Sequence, residues 1–154
     1  MDDSTPPAHS WTASPTAKEK NAVQRAVTAL LDELAPERVI KRGDRAALPV
    51  EQHRTPSGCV LQAAKAAVSV SWFPEAADDA LFGELHIVVW DGIVSRRGSP
   101  KRPEGATITK ELVLRPVERP RDEAVWRAAD GTTYDTATLA AHCLALLQEQ
   151  IDRA

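Results

Sequence analysis

The sequence predicts an α+β protein: a mainly antiparallel sheet of about five strands, packed by long N-terminal and C-terminal helices. Three observations carry this. Apolar residues recur at helical spacing near each end of the chain. Between those ends they alternate or run together in short segments, the habit of strands. No strand–helix–strand unit of ordinary length appears, so parallel pairing lacks its crossover.

Residues 1–14 read as a disordered tail, rich in Asp, Pro and Ser, with Trp11 inside it; residues 15–154 read as a single α+β domain. Thr16 and Glu19 have capping-box spacing. Val23, Val27, Leu30, Leu31 and Leu34 then follow on one helical face, and Pro36 stops the helix. Arg38 to Arg42 reads as a short strand, and Pro49 and Pro56 make the rest of 37–57 mostly loop. Cys59 to Ala64 reads as a strand. Val68, Val70 and Trp72 alternate with Ser69, Ser71 and Phe73, as in a half-buried strand. Pro74 to Phe82 reads as a short helix or turn ended by Gly83.

Leu85 to Trp90 is apolar on both faces apart from His86, which places it centrally in the sheet. Asp91-Gly92 between two apolar runs predicts a tight hairpin, with Trp90 opposite Ile93 and His86 opposite Arg97; a single long strand with a bulge at Gly92 is the alternative. Residues 96–105 form a basic loop. Thr107 to Val117 is a strand carrying Ile108, Leu112 and Leu114 on one face, ended by Pro116 and Pro120. Val125 to Tyr134, with a second Asp-Gly at 130–131, is a further strand or hairpin. Asp135 caps a last helix with Leu139, Cys143, Leu146, Leu147 and Ile151 as its stripe. This order resembles that of small α+β binding modules, including secretion-chaperone-like and profilin-like folds. The resemblance is one of element order alone and implies binding rather than chemistry.

Composition narrows the function classes. The chain has 154 residues, a net charge of -3 and 43% hydrophobic residues, enough for one soluble globular domain. Alanine supplies 25 of those hydrophobic residues, so the core rests on Leu, Val, Ile and four Trp. Only Cys59 and Cys143 are present, at no metal-binding spacing, so they read as free thiols in a reducing, cytoplasmic setting. No apolar run is long enough for a membrane span and no secretory leader is visible. No cofactor or metal is expected.

Four sets of residues could carry function. His9, His53, His86 and His142 are scattered, and His86 alone lies on a central strand where it could act as a base. Glu75, Asp78, Asp79, Glu84 and Asp91 form an acidic stretch without metal-ligand spacing. Residues 96–121 hold eight basic residues, Arg96, Arg97, Lys101 and Arg102 foremost, against three glutamates. Locally that is +5, which leaves -8 for the rest of the -3 chain. This segment could bind an acidic partner or an anion; the acidic overall balance and the lack of interleaved aromatics argue against nucleic acid. Trp72, Trp90 and Trp126 all fall on strands and, with His86, could line a small-molecule pocket.

The nucleophile-elbow, phosphate-loop, dinucleotide and zinc-protease motifs are all missing. The expectation is therefore a non-enzymatic protein-interaction or assembly module that binds a protein partner or itself as a homodimer. The alternative is a pocket protein, with or without enzymatic activity, lined by Trp72, His86, Trp90 and Trp126.

Overall fold

The structure, a computed structural model, describes residues 17–42, 45–74, 83–94, 105–117 and 125–153. Helix α1 spans Ala17–Leu34 and helix α2 Thr136–Arg153. Between them run β1 (Arg38–Arg42), β2 (Arg45–Thr55), β3 (Gly58–Ala63), β4 (Ala66–Phe73), β5 (Glu84–Asp91), β6 (Thr107–Val117), β7 (Val125–Ala128) and β8 (Thr133–Tyr134). All eight pair antiparallel in simple sequence order.

The sheet thus has eight strands, which corrects the expectation of about five. The undercount has local causes. Pro49 does not break β2, because β2 pairs with β1 through residue 50 and with β3 only from Glu51 onward. At Pro49 one edge of the strand is unpaired, and a residue without an N–H fits there. Pro56 and Ser57 form the two-residue turn into β3. The β3–β4 turn, Ala64-Lys65, contains neither Gly nor Asn, yet Ala64 holds a left-handed φ of 50°. Pro116 lies inside β6, paired with Trp126, and does not end it.

Asp91-Gly92 is neither the two-residue hairpin nor a bulge within one long strand. β5 stops at Asp91 and β6 begins at Thr107, so Trp90 pairs with Ile108 and not with Ile93. Gly92 has a φ of 130°, and a Cβ there would lie 2.7 Å from the Ala106 backbone, so the glycine lets the returning chain pass. Its N–H donates to Lys65 O at 2.6 Å, tying the loop to the β3–β4 turn. The second Asp-Gly does form a tight hairpin, between β7 and β8, with Gly131 at φ 91°.

Helix α2 packs against β1, β3, β4, β5, β7 and β8. A straight helix can touch the first and last strands of an eight-stranded meander only if the sheet curls around it. The sheet is accordingly a half-barrel whose concave face holds α2, with α1 laid alongside. The register sorts side chains cleanly. Leu61, Val68, Val70, Trp72, Leu85, Ile87, Val89, Leu114 and Trp126 point inward, against Leu30 and Leu34 of α1 and Leu139, Cys143 and Leu147 of α2. Each such large apolar side chain contributes about 1.5–3 kcal/mol by burial.

α2 is capped as the sequence indicates. Asp135 Oδ1 accepts the Thr138 N–H at 2.8 Å, and Thr138 Oγ1 accepts the Asp135 N–H at 2.9 Å. On α1 the apolar stripe is buried as expected, while its cap residue Thr16 lies outside the described residues. A bulge between Val89 and Trp90 inserts Thr109, which bonds Gln150 of α2 at 2.9 Å. The bulge flips parity, so Leu112 and Leu114 face α2 while Ile108 faces out. This corrects the single face drawn for all three. Among the described residues no helix is long and apolar enough to cross a membrane.

Candidate functional site

The four residues grouped as a pocket lining do not converge. Trp72 and Trp126 lie on the concave face, edge to face, with ring centres 5.7 Å apart. His86 and Trp90 alternate with the inward residues of β5 and therefore lie on the convex face. Two sites result, one on each side of the sheet. Of the basic candidates, Arg96, Arg97, Lys101 and Arg102 all lie outside the described residues, as do Trp11, Glu75, Asp78 and Asp79.

Among the described residues no helix lies above the convex face, and several of its outward positions are apolar. β3 contributes Val60, β4 Ala67 and Phe73, β5 Val88 and Trp90, and β6 Ile108 and Val113. Val60, Ala67 and Val88 are buried. Phe73 is 41% exposed and Ile108 54% exposed, both large apolar groups standing in water. The Trp90 indole lies across toward β4, its Nε1–H donating to Ser69 Oγ at 3.0 Å. A one-sided antiparallel sheet alternates apolar inside and polar outside. Here the outward face of β4 and β5 mixes Ala67, Phe73, Val88 and Trp90 with Ser69, Ser71, Glu84 and His86.

A polar group sits within this patch. Arg115 donates from Nε at 3.1 Å and from Nη2 at 2.9 Å to Glu84 Oε2. Glu84 Oε1 lies 3.2 Å from His86 Nε2, and the His86 ring packs edge-on against Phe73 at 4.8 Å. The Arg115 bond, aided by His86, holds the Glu84 carboxyl below the usual carboxylate range. Glu84 is therefore ionised at neutral pH and fully engaged.

Ser71 sits opposite His86 on β4, so Ser71, His86 and Glu84 superficially resemble a nucleophile, base and orienting acid. The geometry does not support that chemistry. Ser71 Oγ makes no hydrogen bond to His86 among the described residues, and the Glu84 carboxylate is turned to Arg115. The backbone N–H groups beside Ser71 lie in paired strands, leaving no donor pair for an oxyanion.

Further along this face Arg115 and Arg127 stand directly opposite each other on β6 and β7. Like charges so placed are unfavourable. Glu84 neutralises the first. Arg127 and, on β6, the exposed Glu111 have no ion-pair partner among the described residues. Sequence reasoning singled out His86 and Trp90 but missed Phe73, Ile108, Arg115 and Arg127 as their neighbours. The signal was there in the apolar outward positions of the 85–90 strand; the wrong hairpin register hid which residues lay beside them.

The two thiols are chemically quiet. Burial pushes Cys59 up to about 11 and Cys143 up to about 12, the latter also raised by Cys59. Both are free and protonated at neutral pH. No cluster of His, Cys, Asp or Glu suited to a metal ion occurs among the described residues. No protein-family model matches the chain, and no curated protein or solved structure matches it either.

Proposed function

We propose that this chain is a non-enzymatic interaction module that self-associates through the convex face of its sheet. The observation that carries the reading is the exposed apolar group of Phe73 and Ile108 around Trp90, on a face that no helix among the described residues covers. The occupant is a second copy of the chain. Among the described residues the same face offers a base, Arg127, and an acid, Glu111, without ion-pair partners, and in a two-fold pairing each could neutralise the other's counterpart. Aligned packing of two such sheet faces is an ordinary arrangement.

Size sets the strength. Five strands at about 4.8 Å spacing, with about six residues each at ~3.3 Å, cover roughly 20 Å by 20 Å. Two copies then bury on the order of 800 Å², below the ~1,200 Å² of stable complexes, so the dimer is reversible. The free, protonated thiols support a reducing compartment, and the cytoplasm is the location this reading carries.

The test is sedimentation equilibrium across a wide concentration range. The wild type is expected to associate, and Ile108→Glu to stay monomeric while remaining folded. Glu111→Arg or Arg127→Glu alone should weaken the dimer by about threefold, a typical exposed-pair effect. The double charge swap should restore it. A wild type that stays monomeric at every concentration, or an Ile108→Glu protein that associates as before, removes the proposal.

A further inference from the structure

The concave face holds a different clue. Trp126 is fully buried, and its Nε1–H has no acceptor among the described residues. An indole nitrogen can only donate, and a buried donor without a partner is costly enough that native proteins rarely keep one. The buried polar side chain among the described residues, Gln150, accepts from Thr109, and the Tyr134 hydroxyl does not accept the indole N–H.

The surroundings are built with care for the indoles. Trp72 meets Trp126 edge to face, and its six-membered ring lies over Gly83. A Cβ at Gly83 would stand 2.6 Å from that ring and 2.7 Å from the Phe73 carbonyl. Only a bare backbone seats Trp72 there.

Trp126 is also one strand from the open seam of the half-barrel. Its neighbours across the ladders are Pro116 and Tyr134. Strand β8 is two residues long and ends the sheet. Beyond it the wall is made by side chains: Tyr134 stacks on His142 of α2, with ring centres 5.1 Å apart, and both are half-buried. Two rings can swing aside where a strand cannot.

We infer that the Trp126 N–H is the polar anchor of a small-molecule site between Trp72, Trp126 and Tyr134, reached past Tyr134 and His142. The ligand class follows from the lining. It is neutral, because no buried side chain among the described residues is charged. It is flat and largely apolar, to lie against the indoles. It carries one acceptor oxygen, to receive the N–H. An aromatic ketone fits all three requirements. This site is independent of the convex face, and its failure would leave self-association untouched.

The experiment is a titration of ¹⁵N-labelled protein with acetophenone, followed through the indole N–H signals. Trp126→Phe assigns the Trp126 signal by its loss and keeps most of the packing. α-Methylstyrene, close in shape but without the oxygen, is the control. The expected result is a saturable downfield shift of the Trp126 signal with acetophenone and none with α-methylstyrene. Replacing Trp126 by Phe should weaken acetophenone binding by about tenfold. Ile108→Glu should bind acetophenone as the wild type does, and Tyr134→Ala should speed its exchange. A Trp126 signal that does not move, that responds equally to both compounds, or that shows contact only with a trapped water overturns the inference. If Trp126→Phe does not fold, the two-compound comparison on the wild type decides alone.

Discussion

The two faces of one sheet have opposite characters. On the concave face Leu61, Val70, Ile87 and Leu114 meet α1 and α2 and are sealed from water. On the convex face the same strands present Trp90, Phe73 and Ile108 with no described element above them. The first face is covered by the two helices, with the Trp126 N–H as its unpartnered polar atom. The second mixes apolar and polar positions along β4 and β5 and carries no helix among the described residues. The contrast teaches that the buried apolar surface holding the fold together is concentrated inside the curl.

The sharpest way to break the comparison is to truncate one large side chain on each face. Leu147→Ala, in the fully buried stripe of α2, should lose about 2–5 kcal/mol in urea unfolding. Ile108→Ala, standing 54% in water, should lose less than about 1 kcal/mol at monomeric concentrations. Equal losses would mean that the outer face is core after all.

A middle-sized effect is expected at the join of the two faces. Gly83→Ala forces a side chain into a φ of 99° and against the Trp72 ring. It should cost about 1–3 kcal/mol and shift the Trp72 fluorescence. A neutral result would show that Trp72 moves freely at that site.

The smallest effect concerns the outer polar group. Arg115 and His86 lower the Glu84 pKa in the folded state. A depressed carboxylate contributes stability above its unfolded value, near 4.3, which is lost as pH falls through the folded value. Wild type should therefore lose stability over Glu84→Gln on acidification below about pH 5, and the two should converge in slope above it. The component is small because Arg115 is well exposed, with 45% side-chain accessibility. Parallel curves throughout would show that the Arg115–Glu84 contact does not persist in solution.

The ends of the fold were plainly legible in the sequence. Val23, Val27, Leu30, Leu31 and Leu34 state a helix by spacing alone, and Asp135 states the start of another. Local turn chemistry gave the β7–β8 hairpin and misgave the one at Asp91-Gly92. There the glycine serves a close pass by Ala106, a tertiary demand that dipeptide preference does not encode. The Ala64 turn carried no punctuation residue, which blurred the junction of β3 and β4, and Pro49 sat where an edge was unpaired, so β2 dissolved into loop. Half of the candidate site was visible. His86 and Trp90 were found from their strand, but placing Trp72 and Trp126 with them required knowing which parity faces the helices. That follows from register, and register follows from turns.

The most direct test of the outer face is a dilution series of ¹H–¹⁵N spectra. As the concentration falls, signals from residues flanking Phe73, Val88, Trp90, Ile108 and Glu111 should shift together, including the Trp90 indole, while Leu61, Leu114 and α2 stay fixed. Spectra that do not change with concentration, or shifts gathered on α1 and α2, would contradict the account.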